Sequence, residues 1–434
     1  MDSVYRMDDH ARSRTRRYVA VIILGAVVVA LLLPIVDGLS VAGFLGDKTY
    51  LLILQDNAEI RPTGGLMDVV GVVTVHNGRI ASLQYYYGSS AEPKESSPQL
   101  SGLVHLDGPE SFTKFFNVNQ STLTDSNVQY DFASFAPKME SDFYNATGYR
   151  VDGIIAVDLT AIEAVMNITG PITISGEVIT SRNVADRLHY DSATIKGGKT
   201  ALTDLLRTLT FDIARFITDS SVPQKLALYS TMQGLEREKH VQLYPNQGFF
   251  FHTGGERRAL AADFISVVDT TLGTGKADPG VNRTLDYHVV LLPSGSAISN
   301  LTLTYTNNCW WDYDVFTTTL VPPGARLVGG HHTTVFFNGP EVTRSKDAAA
   351  FSSTVRVPAN AKVRVTYLYK TPHRVDTRGI AQQYDLYIQK QAGINRYVLN
   401  TSVQLPRGAR LIDMENVGAN QVFTGDAHVH VGYI

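Results

Sequence analysis

The sequence predicts an α/β domain, a mixed sheet with flanking helices, followed by an all-β sandwich region, both behind an N-terminal transmembrane helix. Three observations predict this. Between Lys48 and about Gly275, short β-rich runs alternate with amphipathic stretches, the pattern of strands and helices in layers. From about Asn282 onward, alternating β runs follow one another, separated by Pro, Gly and Asn. Near the start, Tyr18–Val36 ("YVAVIILGAVVVALLLPIV") contains no charged residue.

That apolar run, at 1.5 Å per residue, spans roughly 28 Å, about one hydrocarbon core. Residues 1–17 before it are rich in arginine (Arg6, Arg12, Arg14, Arg16, Arg17), which predicts a cytoplasmic N-terminus and an extracytoplasmic remainder. Small residues at 40–43 ("SVAG") also fit a cleaved signal peptide. The run is longer than a usual signal core, so an uncleaved single-pass cell-membrane anchor is the expectation.

The α/β domain is expected over 48–275. "TYLLILQ" and "DVVGVVTV" read as buried strands, and "HNGRIASLQYYY" as an Asn77-Gly78 hairpin into a third. "DFASFAPKMESDFY" puts Phe132, Phe135, Ala136, Met139 and Phe143 on one helical face. "VDGIIAVD" is a strand leading into the helix "LTAIEAVMNITG", which Gly170 stops. Further helices are expected at 201–217 and over "RRALAADFISVVDTTLG". The region 282–434 is expected to form one or two immunoglobulin-like sandwich units. "LVPPGARLV" and "QLPRGARLI" form a faint internal repeat that suits two related units.

Composition excludes several function classes. A formal net charge of −3 argues against a nucleic-acid binder with a broad basic face. The single cysteine, Cys309, allows no intrachain disulfide or cysteine-rich metal site, and beside Trp310 and Trp311 it reads as packed. Gly198-Lys199-Thr200 lacks the earlier glycine and leading strand of a phosphate loop. His331-His332 and His428-X-His430 have no partner placed by sequence. Glycosylation sequons at Asn119, Asn145, Asn167, Asn282, Asn300 and Asn400 fit an exported surface protein.

Two stretches carry candidate chemistry. "DNAEIRPTGG", 56–65, sets Arg61 beside Gly64 and Gly65 at a strand junction. An arginine fork with closely approaching glycine N–H groups is a phosphate or carboxylate clamp, supported by Asn57 and Glu59. The same residues also make a good turn, with Pro62 fixing φ and Glu59 pairing with Arg61. "TDSNVQYDF", 124–132, offers Asp125, Asn127 and Asp131 as oxygen ligands for Mg²⁺ or Ca²⁺, or as helix caps. Both pairs of readings stay open.

"LLILQDNAEIRPTGG" resembles the signature of the prokaryotic envelope family called domain of unknown function 4012. "VHNGRI", "DSNVQYDF", "VDGIIAVDLTAI" and "LYIQKQAG" continue the match, with Asp56 and Leu66 replacing the usual Asn and Phe and a Trp-Ser-Pro element lost. That family's α/β part is in turn similar to LytR–CpsA–Psr domains, which transfer glycopolymers from polyprenyl-diphosphate carriers. The resemblance implies a membrane-anchored envelope protein binding a phosphate-containing glycolipid or glycopolymer, with glycopolymer transfer as the reaction class. It implies Arg61, Arg187 and Arg207 as diphosphate contacts, and Asp125 or Asp131 as a metal ligand. The rival expectation is a non-catalytic surface protein whose β-sandwich contacts other envelope proteins. A buried Arg61 paired to Glu59 favours the rival; an open groove reaching Arg61 favours the ligand.

Overall fold

A computed structural model of the chain describes residues 47–76, 79–87, 103–105, 120–174, 177–187, 216, 219–244, 263–271, 275–332, 337–372, 374–376 and 381–434. These fall into two compact units, drawn from the stretches 1–55, 67–102 and 140–251 and from 56–66, 103–139 and 252–434. The expected membrane helix at 18–36 lies outside the described residues, as does the helix at 201–217 apart from Phe216. Among the described residues, no helix is long and apolar enough to cross a membrane.

The first unit is built on a five-stranded mixed sheet, in the order β3-β2-β1-β4-β5. Its strands are β1 (Lys48–Asp56), β2 (Leu66–His76), β3 (Arg79–Tyr87), β4 (Gly153–Asp158) and β5 (Val241–Tyr244). β1 and β4 run parallel, with Tyr50 opposite Gly153 and Gln55 opposite Asp158. Both lie inside the sheet, covered on two faces, which is why their sequences are nearly continuous apolar runs. β2 and β3 pair antiparallel with His76 opposite Arg79, as the Asn-Gly signal predicts.

Helix α1 (Phe132–Thr147) begins in a stretch of the second unit and ends in one of the first, while α2 (Leu159–Thr169) and α3 (Val222–Arg237) belong to the first. All five residues of the apolar face expected on α1 are buried. The Asp158 carboxylate caps α2 by accepting the Ala161 N–H at 3.0 Å, and Gly170, at φ 92°, ends it. Helix α3 was not foreseen. Its stripe is thin, with Leu228, Met232 and Leu235 buried against the core of Tyr50, Leu52, Ile155 and Val165, and Tyr, Ser, Thr and Gln elsewhere on the helix.

The second unit is a pair of sheets around one core. Its strands are β6 (Asp263–Thr270), β7 (Val281–Leu291), β8 (Ala297–Asn307), β9 (Tyr313–Val321), β10 (Arg326–His332), β11 (Phe337–Arg344), β12 (Ala349–Val357), β13 (Lys362–Thr371), β14 (Gln382–Gln389), β15 (Tyr397–Gln404), β16 (Leu411–Glu415), β17 (Gly418–Phe423) and β18 (Ala427–Tyr433). One sheet runs β11-β12-β9-β6-β14-β18-β16, with a short strand Val375–Asp376 beside β14. The other runs β10-β13-β8-β7-β15-β17. Two of the pairings, β6 with β14 and β7 with β15, are parallel, so the sheets are mixed where antiparallel ones were expected.

Two expectations are corrected. The helix foreseen over "RRALAADFISVVDTTLG" is in its described part the strand β6, at the middle of a sheet. Every residue of β6 is buried, so the sequence carries no period of two to announce a strand. The internal repeat does not mark two β-units. "LVPPGARLV" leads from β9 into β10 and "QLPRGARLI" from β15 into β16, each crossing from one sheet to the other. In both corners the alanine N–H returns to a proline carbonyl (Ala325 to Pro322 at 3.2 Å, Ala409 to Pro406 at 3.1 Å). In both, the preceding glycine has positive φ, 80° at Gly324 and 89° at Gly408. The repeat is one corner used twice.

The core of this unit contains a skeleton of buried tyrosines and ions. The Tyr305 hydroxyl donates to Asp269 at 2.8 Å, Tyr313 to Asp278 at 2.9 Å and Tyr384 to Asp263 at 2.8 Å. Arg283 joins the first two carboxylates, its Nε 2.7 Å from Asp269 and its Nη2 2.6 Å from Asp278. Burial raises the Asp278 pKa while Arg283 opposes that rise. Tyrosine hydroxyls in an apolar interior need such acceptors.

Candidate functional site

The segment Asp56–Leu66 leaves β1 and folds back on itself. Glu59 N–H donates to the Asp56 carbonyl at 3.1 Å, Gly64 N–H to Arg61 at 3.0 Å and Leu66 N–H to Glu59 at 3.0 Å. Gly64 has φ 138°, and a Cβ on Gly65 would overlap the Asp56 carbonyl. Both glycines are required by the turn itself.

This loop is seated in the second unit. Ile60 is fully buried in the sandwich core. Its carbonyl accepts the Thr271 N–H at 3.0 Å, and the Ala58 carbonyl accepts the Asp278 N–H at 3.2 Å. The Gln391 side chain donates to the carbonyls of Arg61 at 3.0 Å and Asp269 at 2.7 Å. The Asn57 amide donates to the Gly393 carbonyl at 3.0 Å, and Thr63 forms a bridge with Ala392. Gly393, at φ 80°, lies against the Gly64 carbonyl so closely that any Cβ there would collide with it. "RPTGG" and "KQAG", two separate parts of the resemblance, are therefore the two halves of one clasp.

Arg61 lies within this clasp with 2% of its surface exposed. Its Nη1 donates to the Thr271 carbonyl and, at 3.3 Å, to that of Ile60. Its Nη2 pairs with Asp125 at 3.1 Å and stands 3.9 Å from Glu59. Two predicted site residues, Arg61 and Asp125, are thus brought together across 64 positions of sequence. Asn127 completes the meeting, donating to Thr63 at 3.0 Å and to the Gly65 carbonyl at 2.8 Å. Arg61 Nε, and Asn127 Oδ1 and both amide atoms of Gln129 in the 124–132 stretch, are buried without a hydrogen-bond partner.

The other predicted residues lie apart from this cluster. Asp131 accepts the N–H and hydroxyl of Ser134 at 2.8 and 2.7 Å, the helix-capping reading of that residue. Arg187 is partly buried in the first unit, and Arg207 lies outside the described residues. No set of three or more His, Cys, Asp or Glu among the described residues is arranged to hold a metal ion. Asn145, Asn167, Asn282 and Asn300 are exposed, and Asn119 lies outside the described residues. Asn400 differs, because its amide is bonded to Asp286 at 2.6 Å and its oxygen to the Asn420 N–H at 2.6 Å.

Burial and the nearby Asp278 push the Cys309 thiol up, away from the reactive thiolate. His428 and His430 both pair with Asp385, at 3.2 and 2.7 Å, and that carboxylate holds the His430 pKa above its ordinary value. Asp385 stands directly opposite His430 in the β14–β18 register, a partner that only strand pairing reveals. Sequence reasoning also missed Lys276, which pairs with Asp56 and stands 3.8 Å from Glu59. No local signal linked it to a loop 220 positions away.

Residues 46–192 match the family described as "Protein of unknown function (DUF4012)", the family expected from the motifs. No functionally curated protein matches the chain. Among solved structures, the chain is similar to protein gbs0355 from Streptococcus agalactiae (11% identity, 48% of this chain and 72% of that one, TM-score 0.31). It is also similar to Lin1025 from Listeria innocua (13%, 46% and 73%, 0.29) and to TagV from B. subtilis (11%, 46% and 74%, 0.28). Likenesses at these TM-scores carry no argument about chemistry.

Proposed function

We propose, for a chain matching this family over residues 46–192, an envelope protein that works by binding, with its β-sandwich as the contact surface for other envelope macromolecules. An anchor at residues 18–36 would hold it at the membrane. The observation that carries this reading is the state of Arg61. Its guanidinium faces main-chain carbonyls and Asp125 inside the clasp, where an incoming diphosphate would have to displace an ion pair. In this role Arg61 is a structural pin, and its removal leaves Asp125 and buried carbonyls without their donor. Arg61→Ala should therefore cost about 3–5 kcal/mol of stability. Thermal unfolding of the full-length variant measures this. An Arg61→Ala protein as stable as the parent but unable to bind a polyprenyl-diphosphate analogue would overturn the reading.

A second reading is favoured by unpartnered polar atoms on Arg61 and on the 124–132 stretch. Arg61 Nε, Asn127 Oδ1 and the Gln129 amide would gain partners from a polar ligand, and the family resemblance points to a phosphate-containing glycolipid or glycopolymer. On this reading a transferase reaction would add to the binding role. Mass spectrometry of lipid retained by the detergent-purified protein separates the two. A bound lipid diphosphate lost in Asn127→Ala supports the second; a lipid-free parent supports the first.

A further inference from the structure

Asp56, Glu59 and Lys276 form a triad on the outer side of the clasp. Asp56 is 1% exposed, while the Lys276 side chain is 31% and that of Glu59 18% exposed. Lys276 Nζ pairs directly with Asp56 Oδ2, and Glu59 Oε1 stands 3.8 Å from the same nitrogen. The other Asp56 oxygen, Oδ1, accepts the Ala58 N–H at 3.0 Å. Glu59 is held from its far side by Arg61, 3.9 Å from Oε2. An amine, a buried carboxyl in contact with it, a second carboxylate 3.8 Å from the amine and an N–H aimed at the carboxyl oxygen are the parts needed for amide formation.

We propose that Lys276 and Asp56 join in an intramolecular isopeptide bond, with Glu59 relaying protons. The reaction starts when one proton passes from the Lys276 ammonium to the Asp56 carboxylate across their direct contact. The amine lone pair attacks Asp56 Cγ, and the carbonyl electron pair moves onto Oδ1, stabilised by the Ala58 N–H. Glu59 takes a proton from the attacking nitrogen and returns it to the Oδ2 hydroxyl. The Cγ–Oδ2 bond breaks and one water leaves. Ammonium plus carboxylate become amide plus water, with no change of oxidation state and no co-reactant. The bond would lock the signature loop to the segment that precedes β7, a covalent strut for a protein carrying load at a surface.

Tryptic mapping of the freshly purified full-length protein tests this. Arg61 precedes Pro62 and resists trypsin, so a linked protein yields one branched peptide joining 49–79 to 259–283, lighter by one water than their sum. That peptide should vanish in Lys276→Arg, and in folded Glu59→Gln it should form about a hundredfold more slowly. Separate 49–79 and 259–276 peptides from the folded parent overturn the proposal, whatever the variants do. A branched peptide that forms at the parental rate in Glu59→Gln overturns the relay.

Discussion

Asp263 opens β6 with its carboxylate out of solvent, accepting the Tyr384 hydroxyl at 2.8 Å and its neighbour's N–H at 2.9 Å. Burial pushes its pKa up to about 6, against the opposing pull of Tyr384, Arg374 and the Phe264 N–H. The unfolded value is about 4, so the folded state holds the proton more tightly. The stability this contributes is full below about pH 4 and is lost as pH rises through about 6, a loss of roughly 3 kcal/mol. Urea unfolding at steps from pH 4 to 7 should show that fall in the parent and a flatter profile in Asp263→Asn. Equal slopes in the two proteins would show that Asp263 does not govern the window. Arg61 marks how far single residues were legible. Its type and its glycine neighbours singled it out in the sequence, but its role depends on Thr271, Asp125 and Gln391, which local pattern cannot place beside it.

Among the elements, those with a clean period were legible and those buried all round were not. The α1 face, the β2–β3 hairpin and the Gly170 stop follow from spacing and turn chemistry. Strand β6 was misread because a central strand covered on both faces loses its alternation. The two sheet-crossing corners were visible as a repeat, but the physical cause is a shared turn and not a duplicated domain. That cause makes a graded prediction. Nothing lies within 4 Å of a Cβ placed on Gly408, so Gly408→Ala should cost only the strain of positive φ, about 1 kcal/mol. At Gly324 the same Cβ meets Pro372 Cγ at 3.1 Å, so Gly324→Ala should cost measurably more. Chemical denaturation of the two variants compares them, and a larger loss at Gly408 would refute the shared-corner account.

At the scale of the whole chain, the second unit is not a contiguous piece of sequence. It takes in 56–66 and 103–139 as well as everything from 252 onward. Composition and β patterning revealed a sandwich region, yet nothing in a sequence read from left to right says that Ile60 completes its core. A fragment spanning 263–434 should therefore unfold at a lower temperature than the same fragment supplied with a 56–66 peptide, as circular dichroism would show. Equal melting with and without the peptide would mean that the clasp is dispensable. The clasp also sets a timetable. Arg61 and Gln391 are 330 residues apart and Asn57 and Gly393 are 336 apart, so a growing chain presents one half of the clasp long before the other exists. Contacts of such separation are slow to close, and until the final strands arrive Ile60 and the Arg61 guanidinium have no place to be buried. The loop is thus a late checkpoint on chain completion: a protein truncated before residue 391 cannot seat it.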